Sequence, residues 1–408
     1  MYITKRGKNV MLYFIAFFFL IKPDYFSYIG IFTTLYNIGF IATLAIVVVI
    51  FIKRLIISKT TALCLAVVIF PFFVSLIEGV TITNSILIPL MQTIGLCLLL
   101  EMGVHNRFDE CIQALAFLLE VYAYVNFISI IVFPDGLYEA EFYAGNYWLL
   151  GYKNVMIRFL LSAVCINAIN SVYRKGVNTI RLYCLMFVIA ASLLIVDNKT
   201  GLIGLAFMII MIILFSKQKL PRFVNITNAL IVVGVLSFLL GLTSISSAFS
   251  PVLEALGETV SVINRQAVWY RAVQLFFQRP ILGYGLRSND AYRQLLNVNT
   301  GWGYFSHPHN YILYSLLQGG LVGAVLIVSL FTRVGRAYMR NKENFGLKML
   351  LVMYLSFFLM GITESLTGAV LLYPLAIFID GFSSHEIIYD YSKTKRKIVF
   401  KLGRKLVK

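Results

Sequence analysis

Apolar stretches of about 20 residues, the length an α-helix needs to cross a hydrocarbon core, recur along this chain as far as position 383. Runs such as 41–52 (IATLAIVVVIFI) and 205–215 (LAFMIIMIILF) lie inside them. Soluble domains carry roughly 25% charged residues. Here only 13% are charged and 60% are apolar, too little polar material to coat a water-facing globule. Candidate spans fall near 10–30, 34–52, 61–78, 84–101, 112–133, 154–173, 179–196, 200–215, 226–243, 310–332, 346–362 and 366–383. The expectation is an all-α polytopic membrane protein of about twelve transmembrane helices, with a long helical extracytoplasmic loop before the tenth span.

Charge fixes the expected orientation. With the N-terminus inside, about 26 of the 35 Lys and Arg residues fall on the cytoplasmic side, including eight in the tail from Lys393. That asymmetry is the positive-inside rule. It accounts for the net charge of +17 through topology and attraction to anionic inner-leaflet lipids, with no nucleic acid needed. Both termini are expected in the cytoplasm. The first span follows a basic n-region like a signal peptide, but it lacks a small-x-small cleavage site and is expected to stay as a helix. The five cysteines sit in or beside apolar segments without CxxC spacing, so neither disulfides nor a zinc site is expected. No internal repeat stands out.

The chain thus divides into helices 1–9 (1–243), an extracytoplasmic loop (244–309), helices 10–12 (310–383) and a basic cytoplasmic tail (384–408). A second outside segment, 134–153, also exceeds a tight connection, and loops of this length are usually functional or carry structure of their own. Nine basic residues remain outside: Lys22, Lys153, Arg158, Lys199, Arg265, Arg271, Arg279, Arg287 and Arg293. Topology does not require them. They either face water or bind an anion, and guanidinium forks match phosphate oxygens. Lys199 lies in a tight hairpin, Arg158 sits about one turn inside the sixth span, and Glu364 interrupts an apolar stretch, where charge is costly.

Residues 258–279 read as an amphipathic helix lying on or dipping into the membrane and stopped by Pro280. Arg265, Trp269, Ala272, Phe276 and Arg279 share one face, with the apolar members expected to pack. A Pro280–Gly285 bend follows, then Ser306-His307-Pro308-His309-Asn310 at the entry to the tenth span. Neutral imidazole can take a proton from a sugar hydroxyl. His309 is nearest the helix start. His307 precedes proline, which biases it to extended geometry and the opposite face.

The stretch 263–325 resembles the bacterial O-antigen ligase and O-antigen/capsule polymerase family. The matching elements are Arg265, Trp269, Pro280/Gly283/Gly285, His309-Asn310 and Gly320/Gly323. Gly151-Tyr152-Lys153-Asn154 looks like the family's upstream Lys-Asn loop. Asn198-Lys199-Thr200-Gly201 looks like its Arg-containing hairpin, with Lys in place of Arg. Glu364 falls where many members carry a Glu. The resemblance implies metal-independent, inverting glycosyl transfer with no cofactor, at the outer face of the bacterial cytoplasmic membrane. The donor and acceptor would be polyprenyl-diphosphate-linked oligosaccharides, and a flippase and a chain-length regulator the expected protein partners. His309 would be the base and Arg265 would stabilise the leaving diphosphate, with Lys199, Arg158, Arg271, Lys153 and Arg287 binding the donor and His307, Asn310, Glu364 and Trp269 in support.

Three other readings compete with polymerisation. A ligase would share the same motifs. The richness in Ile, Phe, Tyr, Lys and Asn fits an AT-rich genome, often that of a Gram-positive host without lipid A, and so favours the polymerase. A metal-dependent glycosyltransferase would use Asp24, and a flippase would need functional charges near the bilayer midplane and broken helices.

Overall fold

In the computed structural model, residues 5–53, 57–140, 143–174, 180–215, 220–221, 225–242, 259–300, 303–366, 370–388 and 399–402 are described. The first part of the long loop (244–258) and most of the basic tail lie outside these residues. The helices are α1 (Lys5–Leu20), α2 (Gly30–Ile52), α3 (Lys59–Ile77), α4 (Asn84–Asn106), α5 (Phe108–Val132), α6 (Lys153–Arg174), α7 (Ile180–Ile195), α8 (Lys199–Phe215), α9 (Ile226–Leu242), α10 (Thr259–Gln278), α11 (Asn289–Leu296), α12 (Tyr311–Arg340), α13 (Phe345–Met360) and α14 (Phe378–Ser384). The chain is an all-α polytopic membrane protein. Its few strands are short hairpins, including an antiparallel sheet, β1 (Tyr138–Ala140), β2 (Tyr143–Trp148) and β3 (Gly151–Tyr152), folded by the 134–153 loop.

Among the described residues, six helices are long and apolar enough to cross a membrane, and α7, α8, α9 and α13 are shorter apolar helices. Their surfaces divide the bundle. α13 is buried on nearly every side, as a helix without a polar face must be. α2 turns Ile31, Leu35, Ile38, Ile41, Ile46 and Val49 outward, and α7, α8, α9 and α12 add Phe187, Ile203, Ile213, Ile231 and Val325. So continuous an apolar belt suits lipid, not water. α1 packs along α5 with Phe17 and Leu20 buried, and Tyr36 donates to the Phe18 carbonyl at 2.7 Å.

Two of the expected spans differ from simple helices. The tenth breaks at Gly320, whose φ of 56° and ψ of −153° belong to a region open essentially to glycine alone. Tyr311 and Phe331 would be about 30 Å apart in a straight helix. Both instead contact Phe358, with ring centroids at 6.2 and 4.9 Å, and Tyr311 meets the Tyr373 hydroxyl at 3.0 Å while Phe331 meets its ring at 6.1 Å. Residues 311–319 therefore fold back over 321–340, and only the latter segment makes the crossing. The Pro280–Gly285 bend wedges into the break: Leu321 and Val322 donate to the Pro280 and Ile281 carbonyls at 2.8 and 3.2 Å.

The described residues of the twelfth expected span, 366–383, do not form one continuous helix. Turns and a 3-10 segment (Pro374–Ile377) lead to the short α14. Irregular backbone survives at membrane depth only when it is buried in protein. Leu371, Leu372 and residues 374–379 are indeed buried, Tyr354 donates to the Leu372 carbonyl at 3.0 Å, and the Cys64 thiol lies 3.2 Å from the Tyr373 carbonyl. The amphipathic helix forms over Thr259–Gln278, and its apolar face packs as expected. α10 packs against α9 and α12, burying Val268, Trp269, Ala272 and Val273 in an apolar cluster with Tyr284, Leu296, Phe305, Leu313 and Leu317.

The break at Gly320 is open to a direct test. In Gly320→Ala the Cβ would collide with the Ile281 carbonyl at a positive φ, whereas in Gly323→Ala it would meet nothing nearer than Phe70 at 3.9 Å. Gly320→Ala is expected to lose at least about 1–3 kcal/mol through backbone strain alone. Gly323→Ala should stay near wild type, as read by thermal unfolding in detergent.

Candidate functional site

Glu364 follows α13 by a single turn, its backbone N–H bonded to the Met360 carbonyl at 3.0 Å. Its side chain is 7% exposed and gathers three segments distant in sequence. Asn154, in the first turn of α6, donates Nδ2 to Oε1 at 2.9 Å, and Arg265 of α10 reaches the same oxygen at 3.2 Å. His309 Nδ1 lies 3.5 Å from Oε2. A carboxylate so removed from water requires cationic or hydrogen-bonding partners, and Asn154 and Arg265 supply them.

The approach to α12 holds His309 in place. Asn310 is buried and caps the helix, accepting from Leu313 N–H at 3.0 Å, while its amide donates to the Ile362 carbonyl and the Ser237 hydroxyl, both at 2.9 Å. Tyr311 N–H bonds the Gly361 carbonyl at 2.7 Å. These contacts tie the start of α12 to the end of α13. Between them His309 adopts a φ of 48°, left-handed geometry that costs a non-glycine residue energy and persists only where the surroundings enforce it. That turn corrects the expectation for His307. Its ring does not point to the opposite face but lies 4.2 Å from that of His309, with Nδ1 3.4 Å from Ser365 Oγ. Burial, then His309 and Arg265, hold the His307 imidazole well below its ordinary pKa of 6.5.

A second hairpin braces the cluster. Asn198 is buried and caps α8, accepting from Gly201 N–H at 2.7 Å, and its amide donates to the Lys153 carbonyl. Lys153 returns a bond from Nζ to the Asp197 carbonyl at 3.1 Å. Asp197 has a φ of 48°, the same left-handed strain as His309. Lys199 is the exposed first residue of α8, beside this joint. Tyr152 lies within electrostatic reach of Glu364 and Arg265. Burial and the carboxylate raise its phenol pKa, and the guanidinium opposes them.

The other sequence candidates fall elsewhere. Arg158 stands near Asp24 and over the Phe159 ring at 5.1 Å, while Asp24 accepts from the Tyr138 hydroxyl at 2.9 Å. Trp269 packs inside the apolar cluster under α10. Arg271 bonds the Leu296 carbonyl and Arg287 the Tyr284 carbonyl, both at 3.2 Å. The sequence reading gave Asn154 and Asn198 only as parts of motifs and missed Ser365 and Ser237; an Asn directly before a helix, a capping signal, was the available hint to the role of Asn198. Among the described residues, a group that could hold a metal ion is Glu101, His105 and Asp380. Glu101 already accepts from Ser58 N–H, Ser58 Oγ and Thr61 Oγ1 at 2.6–2.9 Å.

Beside Glu364, Arg265 Nε and His309 Nδ1 are buried without a hydrogen-bond partner. Such atoms are rare in folded proteins, and their concentration marks a place built for something beyond the fold. A helical bundle with an apolar belt, and with a cation, a carboxylate and an imidazole gathered beside a folded-back helix, defines a multi-pass membrane protein with a buried polar cluster. Residues 184–328, from α7 into α12, match the family model for O-antigen ligase, and this region is an O-antigen ligase/polymerase family domain. No curated protein matches the chain significantly. That match supports a function of the O-antigen ligase/polymerase type, a glycosyltransferase-like activity.

His307 gives the site a pH signature. The folded state keeps this imidazole neutral, while the unfolded chain takes up a proton below pH 6.5. Stability is therefore whole above that pH and falls as the pH drops below it, by at most about 1.4 kcal/mol per pH unit. Thermal unfolding at pH 7.5 and 5.5 should show this loss, and His307→Gln should reduce it.

Proposed function

We propose that the protein is a polysaccharide polymerase of the O-antigen or capsule type, joining polyprenyl-diphosphate-linked oligosaccharide repeat units at the outer face of the bacterial cytoplasmic membrane. The observation that carries this reading is the link through Glu364 between His309 and Arg265. A glycosyl transfer from a lipid diphosphate needs a base on the attacking hydroxyl and positive charge at the departing diphosphate. Both are here, on one carboxylate.

The chemistry follows from the geometry. Ionised Glu364 beside Nδ1 favours the tautomer with the proton on that nitrogen and leaves the Nε2 lone pair for the acceptor. As the acceptor hydroxyl attacks the anomeric carbon, Nε2 takes its proton. The new C–O bond forms, the bond from that carbon to the diphosphate oxygen breaks on the opposite face, and configuration inverts. Glu364 then stabilises the imidazolium. Arg265 gives one N–H to Glu364 and has further fork donors for the diphosphate, with Lys199 close by on α8. Electrostatic stabilisation of a leaving anion in a partly dry site is worth several kcal/mol. Arg158, one turn inside α6, would act at longer range. The positive-inside distribution supports cytoplasmic termini and an outward-facing site, with the flippase and chain-length regulator as protein partners.

Purified protein supplied with lipid-linked repeat units should give a ladder of products. His309→Ala, if inserted and folded normally, should be slower by about 10²–10⁴-fold, and chelator should leave the ladder unchanged. A single transfer to another acceptor would identify a ligase. Chelator sensitivity reversed by a divalent cation would turn attention to Asp24.

A further inference from the structure

Of the five arginines that the sequence places in one loop, Arg293 pairs with Asp290, and the other four separate into two groups. Arg265 sits with Glu364, while Arg271, Arg279 and Arg287 gather on Tyr284. The Arg279 and Arg287 guanidinium carbons lie 5.2 and 5.8 Å from the Tyr284 ring centroid. Arg271 acts on the same phenol, whose pKa is raised by burial and opposed by all three cations. The scaffold is firm. Tyr284 donates its hydroxyl to the Leu275 carbonyl at 3.0 Å, and its N–H bonds the Leu317 carbonyl at 2.7 Å. Among the described residues this group's one ion pair is Arg279 with Glu78, so positive charge exceeds negative.

Its surroundings suit an amphiphile. Phe277 and Ile281 from the same loop, Phe73 and Ile77 at the end of α3, and Leu321 and Val325 beyond the break in α12 are large exposed apolar side chains. α3 is sewn to the loop by Ser75, which accepts from Leu286 N–H at 2.6 Å. The cations thus stand where the lipid-facing belt meets the polar end of the molecule, the level at which a lipid carries its phosphates.

We infer that the Tyr284 group is a second anion site that takes the diphosphate of a second polyprenyl-linked molecule, the acceptor, while the Arg265 group takes that of the donor. This assignment rests on the polymerase reading, because only a polymerase uses two such molecules. The division follows from where bonds change. In the donor the scissile bond adjoins the diphosphate, which must lie at the base. In the acceptor the attacking hydroxyl is at the far end of the repeat unit, so its diphosphate must be held away from His309. Asn310 and Leu317, at the two groups, are seven positions apart, about 10 Å along a helix, which leaves room for sugar.

Full-length protein in nanodiscs, titrated with radiolabelled undecaprenyl diphosphate lacking sugar, should bind two equivalents. Arg271→Gln/Arg287→Gln should bind one, Arg265→Gln one, and the triple variant none. Arg287→Gln alone, weakening the second equivalent at least about tenfold, serves if the double variant unfolds. A single equivalent in the wild type overturns the assignment. So does a double variant that keeps two, or displacement of the second equivalent by phosphatidylglycerol at equal concentration, which would mark an ordinary headgroup site. Two equivalents without any ladder of products would uphold the site and remove the polymerase.

Discussion

A helix that enters a membrane domain and does not continue must turn its backbone somewhere, and in this protein the turn is Gly320. Its combination of φ and ψ excludes side chains, and the Pro280–Gly285 bend supplies acceptors for N–H groups beyond the break. Because 311–319 doubles back, the segment that begins at Asn310 starts among the ends of α9 and α13 and not out in the loop. That places His309 beside Glu364. It also gives α10 a platform, so the long loop closes around Trp269 and Leu317 as a small core of its own.

The carboxylate at the centre of the site is expensive to bury and is approached from three directions. Removing one partner of such a pair generally costs more than the pair itself contributes, because the remaining charge is stranded. Glu364 therefore holds α6 and α10 together and sets the approach to α12 beside them. The left-handed residues Asp197 and His309 flank the same point. Strain of this kind is tolerated where neighbouring contacts over-determine the backbone, and the Asn198 and Asn310 caps do so here.

Membrane spanning, most helix positions and the amphipathic α10 were legible in the sequence because each rests on local composition and period. Arg265, His309 and Glu364 could each be picked out as polar groups where topology demanded none. Their meeting could not. It depends on Gly320, which in sequence is one of a Gly pair inside an apolar run that reads as a straight span. The same limit applies to 366–383, whose hydropathy is that of one span although its described residues divide into turns, a 3-10 segment and the short α14. Burial, not lipid, surrounds it, and burial cannot be read from one segment. His307 was assigned to the wrong face because the proline rule governs its own backbone and says nothing of the positive φ two residues later.

The separation of the arginines has the same origin. In sequence Arg265 and Arg271 are six residues apart on one helix, a spacing that puts them on different sides of it. One side of α10 meets Glu364. The other meets α11, where Arg271 holds the Leu296 carbonyl and shares Tyr284 with Arg279 and Arg287. A helix wedged between the bundle and its own loop thus divides one basic segment into two fields. The field at Glu364 also holds the His309 imidazole; on the proposed reading transfer chemistry belongs there, and the other arginines hold charge without reacting.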